Sequence, residues 1–239
     1  MQYTLTVSLS TLRAARTHSA DGDIRRYLNG VFLDTQRGKV VATDGHRLLV
    51  AHARGVKLDA APVIIPNELL DAALKQFGGE YARGKTLGAC DVSITIDGAQ
   101  LSIATPTGHV TGRPLDGQFP DWRKVVPKGD EDGLLDGAPA VLNSDYVTEA
   151  CAAFAIARNI SKAKAGIHAV RVLQRGEFPS IVCDTDPDMV VIIMPLRDRM
   201  VAEAPVAACR MAHDDALPYS DETAERVALE AAAAISSAA

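Results

Sequence analysis

The string best equipped for chemistry is Thr43-Asp44-Gly45-His46-Arg47. An aspartate and a histidine two residues apart can form an acid/base pair or part of a metal site. The more usual reading of the same string is a hairpin, with Asp44-Gly45 as the turn and His46 and Arg47 opening the next strand. A hydrolase built on Asp44 and His46 needs a second cluster of histidines and acids, and His52, His109 and His168 stand singly in strand-like runs. Neither a GxSxG elbow nor a GxxxxGK[ST] phosphate loop occurs. Cys90, Cys151, Cys183 and Cys209 are far apart with no CxxC pair, which points to reduced thiols in a cytoplasmic protein and away from structural zinc. No metal, cofactor or catalytic residue is therefore expected.

Other residues are suited to binding. Arg13 and Arg16 lie one turn apart, Lys75 ends a second helical run, and Arg158, Lys162 and Lys164 follow a third. Helices sharing one surface would make these six a basic patch, although Glu68 and Asp71 on the second helix weaken it and solvated faces account for the same pattern. Phe119-Pro120-Asp121-Trp122 holds the only tryptophan, and Met194-Pro195-Leu196-Arg197 ends the last strand on apolar side chains. Proline stops strand pairing at both places. Apolar groups beside strand ends form peptide grooves, or pack an edge.

The elements that position these residues repeat. The first unit, about 1 to 60, reads as a strand over Gln2–Val7, a helix capped by Ser8 or Ser10 and running to about His18, and strands over Asn29–Thr35, Lys39–Thr43 and Arg47–Ala53. The second, about 61 to 127, has a strand at Ala61–Ile65, a helix at Asn67–Phe77 stopped by Gly78-Gly79, and strands at Asp91–Ile96, Gln100–Thr105 and His109–Arg113. The third, about 138 to 199, has Pro139–Leu142, a helix from Ser144 to about Arg158, and strands at Ile167–Leu173, Phe178–Cys183 and Met189–Met194. Each unit is β-α-β-β-β. Each places glycine in its first post-helix hairpin, at Gly38, Gly98 and Gly176, where a positive φ is cheapest.

Composition sets the bounds. The 239 residues are 47% hydrophobic and 23% charged, as expected for an α+β globular chain, and the apolar run Met189–Leu196 is far short of the about 18 residues a membrane helix needs. The net charge of −5 disfavours a protein that coats nucleic acid with its whole surface, but leaves room for a local basic patch. Lys128–Gly137 is the best linker, and Ser220–Ala234 an Ala-rich helix with Ser220 as its N-cap.

Together these strings resemble the bacterial DNA polymerase III beta subunit, the beta sliding clamp family. The matching residues are Arg26-Tyr27-Leu28-Asn29-Gly30, Val41 through Leu48, Asp116-Gly117 with Phe119 through Pro127, Asn143 with Tyr146, and Ile192 through Arg197. The resemblance implies a DNA-clamp fold whose helices line a ring around duplex DNA with the sheets outside. It implies a processivity factor that does no covalent chemistry and holds DNA topologically through sequence-independent phosphate contacts. It also implies a groove for short apolar motifs of a DNA polymerase and a clamp loader, formed by Leu28, Thr43, Gly45, His46, Arg47, Leu48, Pro120, Lys124, Val125, Asn143, Tyr146, Phe178, Ser180, Ile192, Ile193, Met194, Pro195, Leu196 and Arg197.

The chain departs from the family in length. A usual clamp chain has three domains of two units each; this one offers a complete domain at 1–127, a linker at 128–137, a half domain at 138–199 and a tail at 200–239. Twelve units close a ring as four such chains, so the expectation is a homotetrameric ring. The alternative is a clamp-like peptide-binding protein that competes for replication partners without encircling DNA.

Overall fold

The structure is a computed structural model that describes residues 2–81, 91–105, 108–127, 141–158, 170–173, 179–183 and 188–196. The chain divides into two compact units, Met1–Arg197 and Asp198–Ala239, and every described residue lies in the first. The linker 128–137, the expected tail helix, His168, Gly176, Lys162 and Lys164 all lie outside the described residues, as do Phe178 and Arg197.

The first unit holds β1 (Gln2–Ser8), α1 (Leu9–Arg16), β2 (Gly30–Asp34), β3 (Lys39–Thr43) and β4 (Arg47–His52). The second holds β5 (Val63–Pro66), α2 (Asn67–Tyr81), β6 (Asp91–Asp97), β7 (Gln100–Thr105) and β8 (Gly108–Gly112). In the third, α3 (Ser144–Ala157) precedes β9 (Arg171–Leu173), β10 (Ser180–Cys183) and β11 (Met189–Ile193). Alternation in β1 buries Leu5 and Val7 and turns Thr4 and Thr6 to solvent. Gly38 and Gly98 adopt φ of 62° and 58° in their hairpins. Ser8 occupies the N-cap position of α1 without capping its backbone; its Oγ pairs with Ser10 Oγ instead. Asn143 does cap α3, accepting the Asp145 N–H at 2.9 Å.

Two expectations need correction. α2 does not stop at Gly78-Gly79 but continues to Tyr81, because glycine in a helix interior costs only about 1 kcal/mol and keeps its backbone hydrogen bonds. Val141 and Leu142, the described part of the expected strand at 139–142, belong to no strand; the Val141 carbonyl accepts the Leu196 N–H instead.

The first two units exchange strands. β1 pairs with β6 and β5 with β2, so each unit's opening strand completes the other's sheet. This gives one sheet in the order β1-β6-β7-β8 and a second in the order β5-β2-β3-β4-β11-β10-β9. The second sheet crosses from the first unit to the third through antiparallel β4 and β11, with Leu48 opposite Ile192 and Arg47 opposite Ile193. α1 packs against both α2 and α3, so the three helices form one layer in the order α2-α1-α3. The main core lies between this layer and the strands and includes Leu5, Leu12, Leu33, Leu49, Leu70, Ile94, Leu101, Phe154 and Val191. A second apolar cluster gathers Ala20, Leu28, Val41, Leu48, Val50, Ile64, Phe119 and Ile192.

Candidate functional site

That second cluster floors a groove of about 230 Å³ at the junction of the first and third units. One wall is the β3–β4 hairpin with the residues before β2: Arg25, Tyr27, Leu28, Thr43, Gly45, His46, Arg47 and Leu48. The opposite wall is the segment Phe119, Pro120, Asp121, Trp122 and Val125, and Ile192 of β11 closes the floor with Met194, which follows that strand. Three exposed large apolar side chains, Val125, Met194 and Leu196, are 39%, 40% and 40% accessible. A larger cleft of about 790 Å³ lies beyond the 119–122 segment, which it shares as a wall.

Local chemistry fixes the hairpin wall. Asp44 accepts the N–H groups of His46 at 2.8 Å and Arg47 at 3.0 Å, and its other oxygen accepts Arg47 Nε at 3.0 Å. Thr43 Oγ1 accepts the Gly45 N–H and donates to the Arg47 carbonyl at 2.6 Å. Gly45 sits at φ 95°, and a Cβ there would come within 3.0 Å of the Arg25 guanidinium. The Asp44 carboxylate is thus committed to the turn and to Arg47, while His46 stands exposed: a turn, with no acid/base pair. Among the described residues, no group of three or more His, Cys, Asp or Glu side chains could hold a metal ion.

Arg47 ties the groove to two helices. Its Nη2 donates to the Thr17 carbonyl at the end of α1 at 3.1 Å, its Nη1 pairs with Glu149 of α3, and its guanidinium lies 5.0 Å from the centre of the Tyr146 ring. The His46 and Tyr146 rings face each other at 6.3 Å. Beneath them His18 is wholly buried; burial first and the Arg47 charge second lower its pKa to about 4. On the far wall Phe119 stacks on Phe32 at 4.6 Å, and Trp122 Nε1 donates to the buried Asp34 carboxylate at 3.2 Å. Proline and tryptophan therefore hold a rigid wall.

Ten of the residues expected in the groove line it: Leu28, Thr43, Gly45, His46, Arg47, Leu48, Pro120, Val125, Ile192 and Met194. Tyr146 adjoins it through Arg47 and His46, Asn143 caps α3 beside Tyr146, and Lys124 lies exposed next to Val125. Pro195 and Leu196 continue from Met194 beyond the lining. Ser180 and Ile193 do not reach the surface. Both are 0% accessible, because the pleat turns alternate residues of β10 and β11 into the core. Sequence reasoning missed Arg25, Tyr27, Phe119, Asp121 and Trp122; Tyr27, Phe119, Asp121 and Trp122 stood inside strings already singled out, and Arg25 immediately precedes one of them.

The helix layer departs from the expected basic patch. Arg16 is neutralised by a bidentate pair with Asp71 at 2.9 and 2.8 Å. Arg13 and Arg158 are half-buried and Lys75 is exposed. Among the described side chains of this layer, Arg13, Arg16, Lys75 and Arg158 stand against Glu68, Asp71, Asp145 and Glu149, so acids balance bases.

No family model matches the chain. It is 29% identical over 151 residues to the beta sliding clamp of Escherichia coli K12, covering 62% of this chain and 37% of that protein. With the clamp of Pseudomonas aeruginosa PAO1 identity is 33% over 114 residues, or 46% of this chain and 29% of the relative. The chain thus spans about a third of the length of the curated relatives it matches. A crystal structure of the DNA polymerase III subunit beta from Pseudomonas aeruginosa superposes with a TM-score of 0.56 at 20% identity, covering 82% of this chain and 66% of that one. A DNA polymerase III beta subunit structure from Eubacterium rectale gives 0.58 at 15% identity, with the same coverage. The chain resembles part of the beta sliding clamps in sequence and has their α+β fold.

Proposed function

We propose that this chain, with the fold of the beta sliding clamps and a third of their matched length, is a processivity factor that encircles duplex DNA and tethers replication proteins through its groove. The observation that carries the reading is the groove itself. Ten residues from four separate stretches of sequence converge on one apolar depression, at positions the resemblance assigns to partner binding. Its occupant is a short peptide with large apolar side chains from a DNA polymerase or a clamp loader. Burying Val125 and Met194 supplies the affinity, and the exposed His46 orients the peptide backbone.

No bond is made or broken in this function. Asp44 and Arg47 act as structural groups, and the DNA is held by topology. The ring is a homotetramer of twelve β-α-β-β-β units working in the cytoplasm, its phosphate contacts made by Arg13, Lys75 and Arg158 with Lys162 and Lys164. Light scattering should give four chain masses, and the protein should stay on nicked circular DNA and slide off after linearisation. A stable monomer or dimer at micromolar concentration refutes the ring.

A second reading is favoured by the charge of the helix layer, where among the described side chains acids balance bases and Arg16 is already paired. It is a clamp-like peptide-binding protein that never encircles DNA. This reading requires peptide binding without retention on circular DNA, and retention on nicked circles that survives salt but is lost on linearisation excludes it.

A further inference from the structure

The strand that closes each unit's meander is the one this fold uses to join units. β4 closes the first unit and β11 the third, and they pair antiparallel over five residue pairs. β8 closes the second unit in the same position. It ends its sheet, and among the described residues no strand pairs with its outer edge. Burial records the difference. Leu48, Leu49, Val50 and Ala51 of β4 are buried, whereas Gly108, His109 and Thr111 of β8 are exposed.

The helices above repeat the contrast. α1 and α2 each start directly after their unit's first strand, which aligns Leu12 with Leu70, Ala15 with Ala73 and Ala14 with Ala72. The first two pairs are wholly buried. Ala14 is also wholly buried, in the core that includes Ala150, Ala153 and Phe154 of α3, whose end is held by the Ser10 hydroxyl bond to the Ala157 carbonyl at 2.9 Å. Ala72, its counterpart, is exposed. The second unit therefore shows at its surface what the first unit has covered.

From this we infer that β8 and α2 form a two-fold interface with the same elements of a second copy of this chain. An antiparallel pair of equivalent strands has a local two-fold axis, so one edge can serve as its own partner. The same axis, passing near Ala72, sets α2 antiparallel to its copy. Glu68 of one chain then faces Lys75 and Gln76 of the other, and the reverse, so the exposed charges attract. This pairing would move Lys75 from the lining to the interface. The inference deepens the tetramer of the proposed function by assigning one of its contacts, but the groove lies wholly within one chain and is independent of it.

Three measurements on the full chain test it. Thr111→Cys should give a covalent dimer on mild oxidation, beyond any formed by the parent, because only a two-fold contact brings a residue to its own copy. Ala72→Arg, which sets two guanidinium groups against each other at a site exposed within the chain, should halve the mass from four chains to two. Glu68→Lys should lower the mass in the same way, and Glu68→Lys with Lys75→Glu should restore it. A tetramer unmoved by Ala72→Arg, no Thr111→Cys dimer, or a monomeric parent overturns the inference. A labelled apolar peptide is the separate readout. If it binds parent and Ala72→Arg alike while the mass test fails, only the interface falls; if it binds neither, the groove reading is the one refuted.

Discussion

Met194 and Val125 are the exposed large aliphatic side chains of the groove lining, and their joint truncation tests the binding reading directly. Full burial of a Met or Val side chain is worth about 1.5–3 kcal/mol relative to exposure. Met194 is 40% and Val125 39% accessible in the free protein, so a peptide covering them gains roughly 1 kcal/mol at each. Each alanine substitution should therefore weaken peptide binding about fivefold, and the double variant about 30-fold if the two walls act independently. The assay is fluorescence anisotropy of a labelled pentapeptide with two large apolar residues, with thermal unfolding as a check on the fold. Ile24 is 96% accessible and outside the groove lining, so Ile24→Ala should leave Kd unchanged. A double variant that melts like the parent and binds within twofold of it would refute the assignment of this groove, whatever the resemblance implies.

Further outcomes concern the frame around the groove. His18 is held neutral in the fold with a pKa of about 4, while in the unfolded chain it titrates near its ordinary value of about 6.5. The unfolded state therefore binds more protons between those values. The stability this buried imidazole carries is complete above pH 6.5 and falls by about 3 kcal/mol as pH drops toward 4; urea unfolding at pH 7 and 4.5 should show it, and His18→Phe should flatten it. Asn67 is buried, accepts the Ser19 hydroxyl at 2.9 Å and donates to the Ala20 carbonyl at 2.7 Å; Asn67→Ala takes this donor from the Ala20 carbonyl, while Ser19 keeps its bond to the Arg16 carbonyl, and should cost about 1–3 kcal/mol in chemical denaturation. Gly55→Ala would set a Cβ 1.9 Å from the Thr6 carbonyl oxygen, so β1 must shift; a melting temperature unchanged by that substitution would contradict the packing described.

Much of this molecule is legible in the chain because it is set locally. Alternation and β-branched runs mark nearly every strand, and Gly38 and Gly98 mark hairpins because their φ is positive. Asp44-Gly45 reads as a turn because an aspartate accepts the N–H groups two and three residues ahead wherever it sits. The strings around Leu28, His46, Pro120 and Met194 could be singled out, since each is compact in sequence. Which of their side chains face one another could not. That depends on β4 meeting β11, a pairing across about 140 residues that no local pattern encodes.

Tertiary structure alone decided the remainder. Ile192 and Ile193 are adjacent and chemically alike, yet the pleat places one on the groove floor and the other inside the main core. Arg16 reads as a free cation until α1 and α2 pack and Asp71 takes both of its donors. Strand exchange between the first two units, β1 to β6 and β5 to β2, is equally invisible from each unit alone. Sequence by itself determined the β-α-β-β-β order of the first two units and the residues suited to a groove, because propensity, turn chemistry and periodicity act over a few residues. The partners of each edge, helix face and charge were decided by the folded chain, because hydrogen bonding between strands and burial against neighbours depend on contacts between residues far apart in sequence.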